Sequence, residues 1–517
     1  MPPPYGGLDL VSPIDQMDPN FALELTNVFP GATAPTVRLG YKQFATTGAT
    51  ISGEIQFIHR LPKADGTTVL IIGTATKLFA VSEAGVATDI TKATPHTSGE
   101  FSWAILNNNI YLCNNAGTAG NEAQVYTGAG TAINVTYTGV TLYNLNSVSA
   151  YKRRVIYVEK NTAKIWYSKV DETGATGSPT LKSEDLSYNL TQGGYLLWTG
   201  SFTNQTASTS AEYFYAISSE GEIIMYAGDA PDAANWGQVA RFYIGKPLGF
   251  RSFVRVNNDT WIFTQQGIVP LSALFETDPE QALNAVGKRI NSIITEYATA
   301  IPFNHSWYGF FWSAGRRVYV NVPDSSSTSF FLVFSLDTKG WTVFRLFDPT
   351  HNHQATVFKN LPFYGSATGV IWQGETGYAD AVTATSTGQA ITFSGRTAFS
   401  FYDSRGNYKA FKDIRPLLKT RRGITLALGL DTNFQRSPTV TSITTSPGTF
   451  TAWGSTGGSP TYTPWGSSWS SDTEYIFDRF AVKGQGHCAA VRFGGTIKNT
   501  SCQIYGFEIR FDLGGQV

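Results

Sequence analysis

The sequence predicts an all-β protein, with a β-propeller followed by a smaller β-sandwich-like domain. Aromatic residues make up 14% of the 517 residues and charged residues only 15%, a composition that suits half-buried strands. The 51 glycines are numerous enough to supply many tight turns. A chain of this length exceeds what one hydrophobic core holds, so we expect more than one domain.

Residues 1–50 are predicted to form an extended lead-in that packs with the C-terminal domain. Three prolines and the pair Gly6-Gly7 oppose a helix at the start of the chain. One short helix is expected after Asp18, because Pro19 would occupy its first position.

Residues 51–400 repeat one pattern, in which an apolar strand meets a tight turn and a second strand follows. Residues 69–73 (VLIIG) lead to 77–81 (KLFAV), and residues 154–158 (RVIYV) lead to 164–168 (KIWYS). Such a hairpin cannot bury its apolar face alone, whereas radial stacking of sheets buries those faces and leaves short, protected edges. The pattern therefore predicts a β-propeller. A spacing of about 40–60 residues suits blades of four strands, and we expect six blades.

One helix is expected to interrupt the propeller pattern. Asp278 is its predicted N-cap and Pro279 its first residue, while Gly287 weakens it midway. Its apolar stripe is predicted to pack against a blade and to consist of Leu283, Val286, Ile290, Ile293 and Tyr297.

Residues 401–517 are predicted to form a β-sandwich docking domain, because apolar and polar residues alternate as in strands with one buried face. Within it, residues 436–473 are rich in Ser, Thr and Gly and low in charge, which predicts a projecting loop or hairpin. Exposed indole rings are unfavourable, so we expect a partner surface to cover the tryptophans of this loop. They are Trp453, Trp465 and Trp469.

Basic residues cluster near three predicted strands, at 152–154, 316–317 and 419–422. Such charges usually protect strand edges from aggregation. Arg421 and Arg422 are the exception that we assign to an interface or a channel, because they lie in the predicted docking domain.

Groups that carry chemistry are sparse. Lys plus Arg and Asp plus Glu each number 38, so the basic surplus of a protein that grips DNA along its phosphates is missing. His351 and His353 would share one side if they lay on a strand, but the sequence offers them no third ligand, so a loop and no metal site is predicted here. No phosphate-cradling glycine loop and no nucleophile elbow occurs. We therefore expect no catalytic residue and no cofactor.

Paired carboxylates need separate treatment, because propellers also host glycosidases. The candidate pairs are Asp229 with Asp232, Glu184 with Asp185, and Asp278 with Glu280. Adjacent strand residues point to opposite faces, which disfavours Glu184 with Asp185. Asp278 and Glu280 are already explained by the start of the helix.

The cysteines and the N-terminus indicate a reducing compartment. Cys113, Cys488 and Cys502 are too few for a disulfide framework. The first ten residues lack the regions of a signal peptide, and no run approaches the roughly 18 apolar residues of a membrane span.

Three parts of the chain resemble the tail-nozzle (packaged-DNA stabilisation) proteins of short-tailed bacteriophages. The middle part comprises residues 218–226 (SSEGEIIMY), Trp236, and residues 243–249 (YIGKPLG) and 266–272 (QGIVPLS). The first part comprises residues 6–9 (GGLD), 17–19 (MDP) and 27–30 (NVFP), and the last runs from 484–487 (GQGH) to 507–509 (FEI). The resemblance thus touches both ends and the centre of the chain.

The resemblance implies a structural virion protein that forms a ring, usually of six copies, below the portal and its adaptor ring. Such a ring retains packaged DNA and conducts it at ejection. The implied partners are further copies of the chain, the adaptor ring, tail fibres or spikes, and double-stranded DNA that passes without sequence-specific recognition. The implied location is the phage tail, after assembly in the host cytoplasm. A receptor- or carbohydrate-binding tail protein stays open as an alternative, and a propeller glycosidase has less support.

Overall fold

The computed structural model describes residues 1–517 except 206–209, 277, 302, 304–306, 326–327, 347–353, 421–423, 445–473, 477–478 and 517. The chain divides into two compact units. Unit 1 comprises Met1–Lys42, Val333–Phe347 and Glu375–Val517, and unit 2 comprises Gln43–Leu332 and Asp348–Gly374. These boundaries differ from the predicted ones at residues 50 and 400.

Strands dominate both units. The first are β1 (Gly7–Leu8), β2 (Phe21–Thr26), β3 (Val28–Phe29), β4 (Thr36–Val37), β5 (Tyr41–Gln43) and β6 (Thr47–Gly48). They are followed by β7 (Phe57–Pro62), β8 (Thr68–Gly73), β9 (Leu78–Ser82), β10 (Val86–Asp89), β11 (Phe101–Leu106), β12 (Asn109–Asn114), β13 (Gln124–Tyr126), β14 (Ile133–Asn134), β15 (Leu145–Tyr151), β16 (Arg154–Glu159), β17 (Lys164–Tyr167) and β18 (Lys182–Asp185).

The middle of the chain continues with β19 (Leu196–Gln205), β20 (Ser210–Ser218), β21 (Glu222–Ala227), β22 (Gly237–Tyr243), β23 (Phe253–Val256), β24 (Asp259–Thr264), β25 (Gly267–Pro270), β26 (Tyr308–Trp312), β27 (Arg317–Pro323), β28 (Ser329–Ser335), β29 (Trp341–Phe344), β30 (Ala355–Phe358), β31 (Leu361–Gly365) and β32 (Ile371–Gly374). The last strands are β33 (Ile391–Thr397), β34 (Asn407–Thr420), β35 (Thr425–Thr432), β36 (Thr441–Thr444), β37 (Glu474–Ile476), β38 (Phe480–Gly486), β39 (Ala489–Ile497) and β40 (Cys502–Gln516).

Unit 2 is a β-propeller. Its described strands follow one another in seven hydrogen-bonded groups, in the orders β7-β8-β9-β10-β6, β11-β12-β13-β14, β15-β16-β17-β18, β19-β20-β21-β22, β23-β24-β25, β26-β27-β28 (part of a ten-stranded sheet) and β30-β31-β32-β5. The six blades expected from the sequence stay a prediction. The fifth sheet has only three strands and is followed by helices, and this irregularity obscures the repeat in the sequence.

Successive blades meet through their first strands. The contacts that carry this series are Phe57 with Phe101 (ring centres 5.8 Å apart), Ser102 Oγ with Ser147 Oγ (3.3 Å), Ser149 Oγ with Thr199 Oγ1 (2.7 Å) and Trp198 with Phe253 (5.4 Å), followed by contacts of β23 with β26 and of β26 with β30. The series closes because β30 contacts β7. The first strands therefore surround a common axis.

A short N-terminal segment of unit 2 joins the last blade to the first. The amide of Phe44 donates a hydrogen bond to the carbonyl oxygen of Ile371 in the seventh blade, at 2.8 Å. Three residues later, β6 pairs in parallel with β10 of the first blade. This closure lets the ring of blades bury both faces of its first sheet.

The propeller's core lies between neighbouring sheets. Between the third and fourth blades, Ile165, Leu196, Phe214 and Ile224 are fully buried. Burying one such side chain contributes roughly 1.5–3 kcal/mol relative to leaving it in water. The continuous apolar runs of the sequence therefore belong to strands that are covered on both faces.

Three helices follow the fifth sheet, namely α1 (Ala273–Glu276), α2 (Pro279–Val286) and α3 (Asn291–Ala300). The prediction of one continuous helix was wrong, since α2 ends before Gly287 and a 3₁₀ turn follows. Ile294 and Ala298 of α3 are buried, whereas the predicted stripe residues Ile293 and Tyr297 are only half-buried. Because of the break at Gly287, different residues of α3 face the core than in the single continuous helix that the sequence predicts.

Unit 1 is a β-sandwich. One sheet has the order β29-β2-β33-β39-β35-β36, with β1 parallel to β2, and the other has the order β3-β4-β40-β34-β37, with β38 also on β34. Phe493 of the first sheet and Phe507 of the second lie with ring centres 5.3 Å apart in the core between them.

The expected helix after Asp18 is also wrong, because residues 21–26 form β2. This strand pairs with β33, with Thr26 opposite Ser394. Backbone pairing with a strand more than 350 residues away thus outweighs the local helix-start signal of Pro19.

Candidate functional site

The first strand of each blade brings side chains to the axis of the propeller. Phe57 contacts Phe101 and His59 contacts Trp103, so β7 and β11 run in the same direction. Residues that begin the first strands therefore lie at one end of the axis. The hairpins that follow these strands lie at the other end, which is here called the hairpin end.

An arginine lies at the end at which the first strands begin. Arg251 precedes β23, and its Nη1 donates a hydrogen bond to the carbonyl oxygen of Phe101, at 3.2 Å. Its guanidinium carbon lies 6.0 Å from the centre of the Tyr308 ring. Burial lowers the pKa of Arg251, and the carboxylate of Glu100 opposes this shift. The arginine, which precedes the first strand of the fifth blade, thus contacts groups of the second and sixth blades.

The hairpin end carries a stacked pair of rings. The rings of His59 and Trp103 lie 3.5 Å apart with 26° between their planes, and Trp103 keeps 36% of its surface exposed. Burial lowers the pKa of His59 to about 3, and the charges of Arg60 and Arg255 add to this shift. The imidazole is therefore neutral at pH 7, and two positive charges lie near it.

These two arginines lie on the first strands of two different blades. Arg60 lies on β7 in the first blade and Arg255 on β23 in the fifth, and both side chains are exposed. Within the described part of the chain, neither makes an ion pair. Sequence analysis missed this cluster, and the only local signal was the dipeptide His59-Arg60 at the start of an otherwise apolar pattern.

Further cations occupy the hairpin tips around this end. Lys152, Arg153, Arg316 and Lys359 have positive φ angles of 45°, 59°, 50° and 51°. A left-handed backbone costs a residue with a Cβ atom roughly 1–2 kcal/mol, and Gly or Asn adopts it more readily. Positively charged residues thus occupy positions whose left-handed backbone conformation favours Gly or Asn.

Several of these cations are paired locally. Lys152 Nζ lies 3.5 Å from Glu212, and Arg153 forms an ion pair with Asp171. The ammonium of Lys359 donates a hydrogen bond to the carbonyl oxygen of Glu83, at 3.2 Å.

The predicted interface residues fall outside the described residues. They are Arg421, Arg422, Trp453, Trp465 and Trp469, and His351 and His353 also lie outside. Their assignment to an interface stays a prediction.

The carboxylate pairs proposed from sequence have separate local roles. Asp232 pairs with Lys182, and that hydrogen bond lowers the pKa of Asp232, while Asp229 accepts a hydrogen bond from Asn235 at 3.0 Å. Glu184 accepts a hydrogen bond from the Tyr188 hydroxyl, at 2.9 Å.

Three candidates remain, and the side chain of Glu280 is not among those that the structure describes. Asp185 accepts a hydrogen bond from the amide of Ser187, at 2.9 Å, and this contact lowers the pKa of Asp185. Asp278 occupies the N-cap position of α2 without a side-chain capping bond. Across the residues that the structure describes, no three His, Cys, Asp or Glu side chains are grouped to hold a metal ion.

Unit 1 contains a buried ion pair. Arg38 Nη1 donates a hydrogen bond to Asp380 Oδ1 at 2.6 Å, and both side chains are almost completely buried. The guanidinium also donates to the carbonyl oxygens of Leu39 and Arg345, at 3.0 and 3.1 Å. Burial raises the pKa of Asp380, while Arg38 opposes this shift.

A cavity of about 230 Å³ lies beside this pair and is lined in part by Asn27 and Thr392. The Asn27 amide bridges two segments, since its Nδ2 donates to the Thr392 carbonyl at 2.8 Å and its Oδ1 accepts from the Arg345 amide at 2.9 Å. Arg38 and Asn27 thus fix the lead-in within unit 1.

No protein-family model matches the sequence, and no curated protein matches it significantly. Among solved structures, virginiamycin B lyase from Staphylococcus aureus is similar at 10% identity, with 64% of this chain and 97% of that chain covered and a TM-score of 0.41. YCF48 bound to a D1 peptide is similar at 12% identity, with 69% and 97% covered and a TM-score of 0.34. BBS1N in complex with ARL6DN is similar at 10% identity, with 65% and 96% covered and a TM-score of 0.38. Similarity this low carries no information about function.

In the part of the chain that is described, no helix has the length and apolarity needed to cross a bilayer.

Proposed function

We propose that the protein is the nozzle of a short phage tail, and that copies of it form a ring below the portal and adaptor. The observation that carries the proposal is the composition of unit 1, in which Met1–Lys42 and Glu375–Val517 share one compact unit. The propeller is thus inserted between two parts of a single docking unit. The resemblance to tail-nozzle proteins covers both ends and the centre of the chain, so it involves both units.

In this proposal the protein acts through its shape, and no reactive group takes part. The ring retains packaged DNA before ejection and conducts it afterwards, and further partners are the adaptor ring and the tail fibres or spikes. A formal net charge of zero suits a passage, because a strongly basic lumen would hold the phosphates of moving DNA. The proposed location is the virion.

The proposed contacts between copies involve Arg421, Arg422 and the tryptophans at 453, 465 and 469. Apolar rings and arginines are enriched in the energetically dominant parts of protein interfaces. A stable ring contact should bury on the order of 1,600 Å² in total.

The test is the mass of the full-length protein, alone and mixed with the adaptor ring of the same virus. We expect a closed oligomer on the adaptor, and we expect R421Q/R422Q to weaken it. The matched control is K152Q/R153Q, which removes a basic pair from a hairpin of the propeller and should leave assembly unchanged. A chain that stays monomeric with every adaptor preparation would refute the proposal.

A second candidate function is carbohydrate binding by a tail protein. Tyr188 and Tyr243 are 68% and 43% exposed. The Tyr188 hydroxyl donates to Glu184 at 2.9 Å, and the Tyr243 hydroxyl is hydrogen-bonded to Thr191. Exposed aromatic rings beside polar groups suit a sugar, whose faces are apolar and whose edges are polar.

A glycan array tests this candidate. Binding that is lost in Y188A, but kept when another exposed tyrosine is changed in Y505A, would support carbohydrate recognition. If the protein binds no glycan on the array, the carbohydrate-binding function is refuted.

A further inference from the structure

We propose that Lys92 and Asn134 join their side chains in an intramolecular amide bond, and that Glu122 carries the protons of this reaction. The bond links the first blade of the propeller to the second. This inference goes beyond the nozzle function and does not rest on it.

Three side chains meet between the first two blades. The ammonium group of Lys92 donates a hydrogen bond to Asn134 Oδ1 at 2.7 Å and another to Glu122 Oε2 at 2.9 Å. The amide carbon of Asn134 is bonded directly to Oδ1, so rotation of the amide group turns this carbon towards the lysine nitrogen. Reacting groups held in contact make a bimolecular step effectively unimolecular. A nucleophile, an electrophile and a proton acceptor are thus in contact.

The backbone holds the two reacting residues together independently of their side chains. Lys92 follows β10, the fourth strand of the first blade, and Asn134 ends β14, the fourth strand of the second. The amide of Ala132 donates a hydrogen bond to the carbonyl oxygen of Ile90, at 2.7 Å. Both of these residues are buried in one apolar cluster that the two blades share. The segments that carry the lysine and the asparagine are therefore fixed next to each other.

The surroundings suit proton transfer inside the group. Only 3% of the Lys92 side chain is exposed, so water has little access to its ammonium group. Burial raises the pKa of Glu122, but the hydrogen bonds from Lys92 and from the Gly120 amide outweigh this effect and lower it. Glu122 is therefore a carboxylate at pH 7 and can accept a proton. Asn134 is exposed, which lets its leaving group escape into water.

The reaction needs no further reagent. Glu122 accepts one proton from Lys92, and the lone pair of the resulting amine forms a bond to the amide carbon of Asn134. Glu122 then donates this proton to Asn134 Nδ2, and the bond between the amide carbon and Nδ2 breaks. The lysine nitrogen gives up a second proton, which leaves with ammonia as an ammonium ion. One ammonium group and one primary amide become one secondary amide and one ammonium ion, so atoms and charge balance.

The intact mass of the purified full-length protein, measured after denaturation, tests the proposal. We expect a mass that is lower than that of the sequence by one ammonia molecule. N134A and K92R should each have the full mass of their sequences, because each lacks one reacting group. The matched control K77R changes a lysine of the first blade that pairs with Asp89 at 3.0 Å, and it should keep the deficit.

Peptide analysis distinguishes the cross-link from the cyclisation of an asparagine, which also releases ammonia. Glu100 and Glu122 lie between the two linked positions in the sequence. A glutamate-specific protease therefore separates Lys92 from Asn134 unless their side chains are joined. We expect one branched peptide from the unchanged protein and two separate peptides from N134A.

The variant E122Q tests the proton carrier, because glutamine keeps the size of the side chain but does not accept a proton. In a time course that starts at synthesis, the ammonia deficit should appear at least about a hundredfold more slowly in E122Q, the usual contribution of a general acid-base group. If E122Q does not fold, N134A keeps the test valid, because the side chain that it changes is exposed. A native protein with the full mass, a deficit that persists in N134A or K92R, or an equal rate in E122Q would overturn the proposal.

Discussion

Replacing Arg38 by methionine should strongly destabilise unit 1. The change leaves the Asp380 carboxylate without its partner in a place where both side chains are almost inaccessible to water. It also removes hydrogen bonds to the carbonyl oxygens of Leu39 and Arg345. Breaking a buried pair in this way costs about 3–5 kcal/mol, because the remaining charge is uncompensated. For a unit of this size, this corresponds to a fall in melting temperature of about 6–20 °C.

The loss should depend on pH. Burial raises the pKa of Asp380, and Arg38 opposes this shift, so R38M should raise the pKa further. A carboxyl group whose pKa is raised on folding stabilises the fold below its unfolded-state pKa, and this contribution is lost as the pH rises through the folded-state pKa. The difference in melting temperature between R38M and the unchanged protein should therefore be smaller at pH 5 than at pH 8.

Calorimetric melting of three variants tests this reasoning. The double variant R38M/D380L removes both charges and should recover much of the stability lost in R38M. The control R153M breaks the exposed pair with Asp171 and should cost less than about 1 kcal/mol. If R38M melts like R153M, or if the double variant is less stable than R38M, the ion pair does not fix the lead-in as described.

Three further predictions concern other buried groups. Lys409 is fully buried, and its ammonium group donates hydrogen bonds to three backbone carbonyl oxygens. K409M should therefore lower the free energy of unfolding, measured by urea titration, by about 2–4 kcal/mol. An unchanged urea midpoint would contradict this prediction. The pKa of His59 is lowered on folding, so its contribution to the free energy of unfolding is present above the unfolded-state pKa and is lost as the pH falls from about 6.5 towards 3. The melting temperature of H59Q should therefore fall less steeply over that pH range than that of the unchanged protein. Identical pH profiles of the two proteins would contradict this prediction. Cys113, Cys488 and Cys502 are buried with raised pKa values, so a thiol reagent should label them only after unfolding, and rapid labelling of the native protein would contradict this.

The fold class was predictable from the sequence because strands have a local signature. Apolar runs such as residues 154–158 become β16, whose inner residues are buried on both faces, and the hairpin partner at 164–167 becomes β17. The number of blades stays a prediction, because a three-stranded sheet followed by three helices breaks the repeat in the sequence.

The group of residues at the hairpin end, which contains His59, Trp103, Arg60 and Arg255, could not be predicted, because its members come from distant positions in the sequence. Arg60 and Arg255 are separated by almost 200 residues, and both of their charges help to lower the pKa of His59. A lone arginine on a strand usually marks a solvated edge. The same limit applies to Arg38 and Asp380, which are 342 positions apart. The topology of the fold decides which single charges come close together, and no local sequence pattern indicates it.

Locating the chain in the virus particle tests the proposed function most directly. Electron microscopy of particles labelled with an antibody against the chain should place the label at the tail, below the portal and adaptor, on a ring of copies. Particles that lack the chain should lose their packaged DNA. Intact, DNA-filled particles that carry no copy of the chain would contradict the proposal.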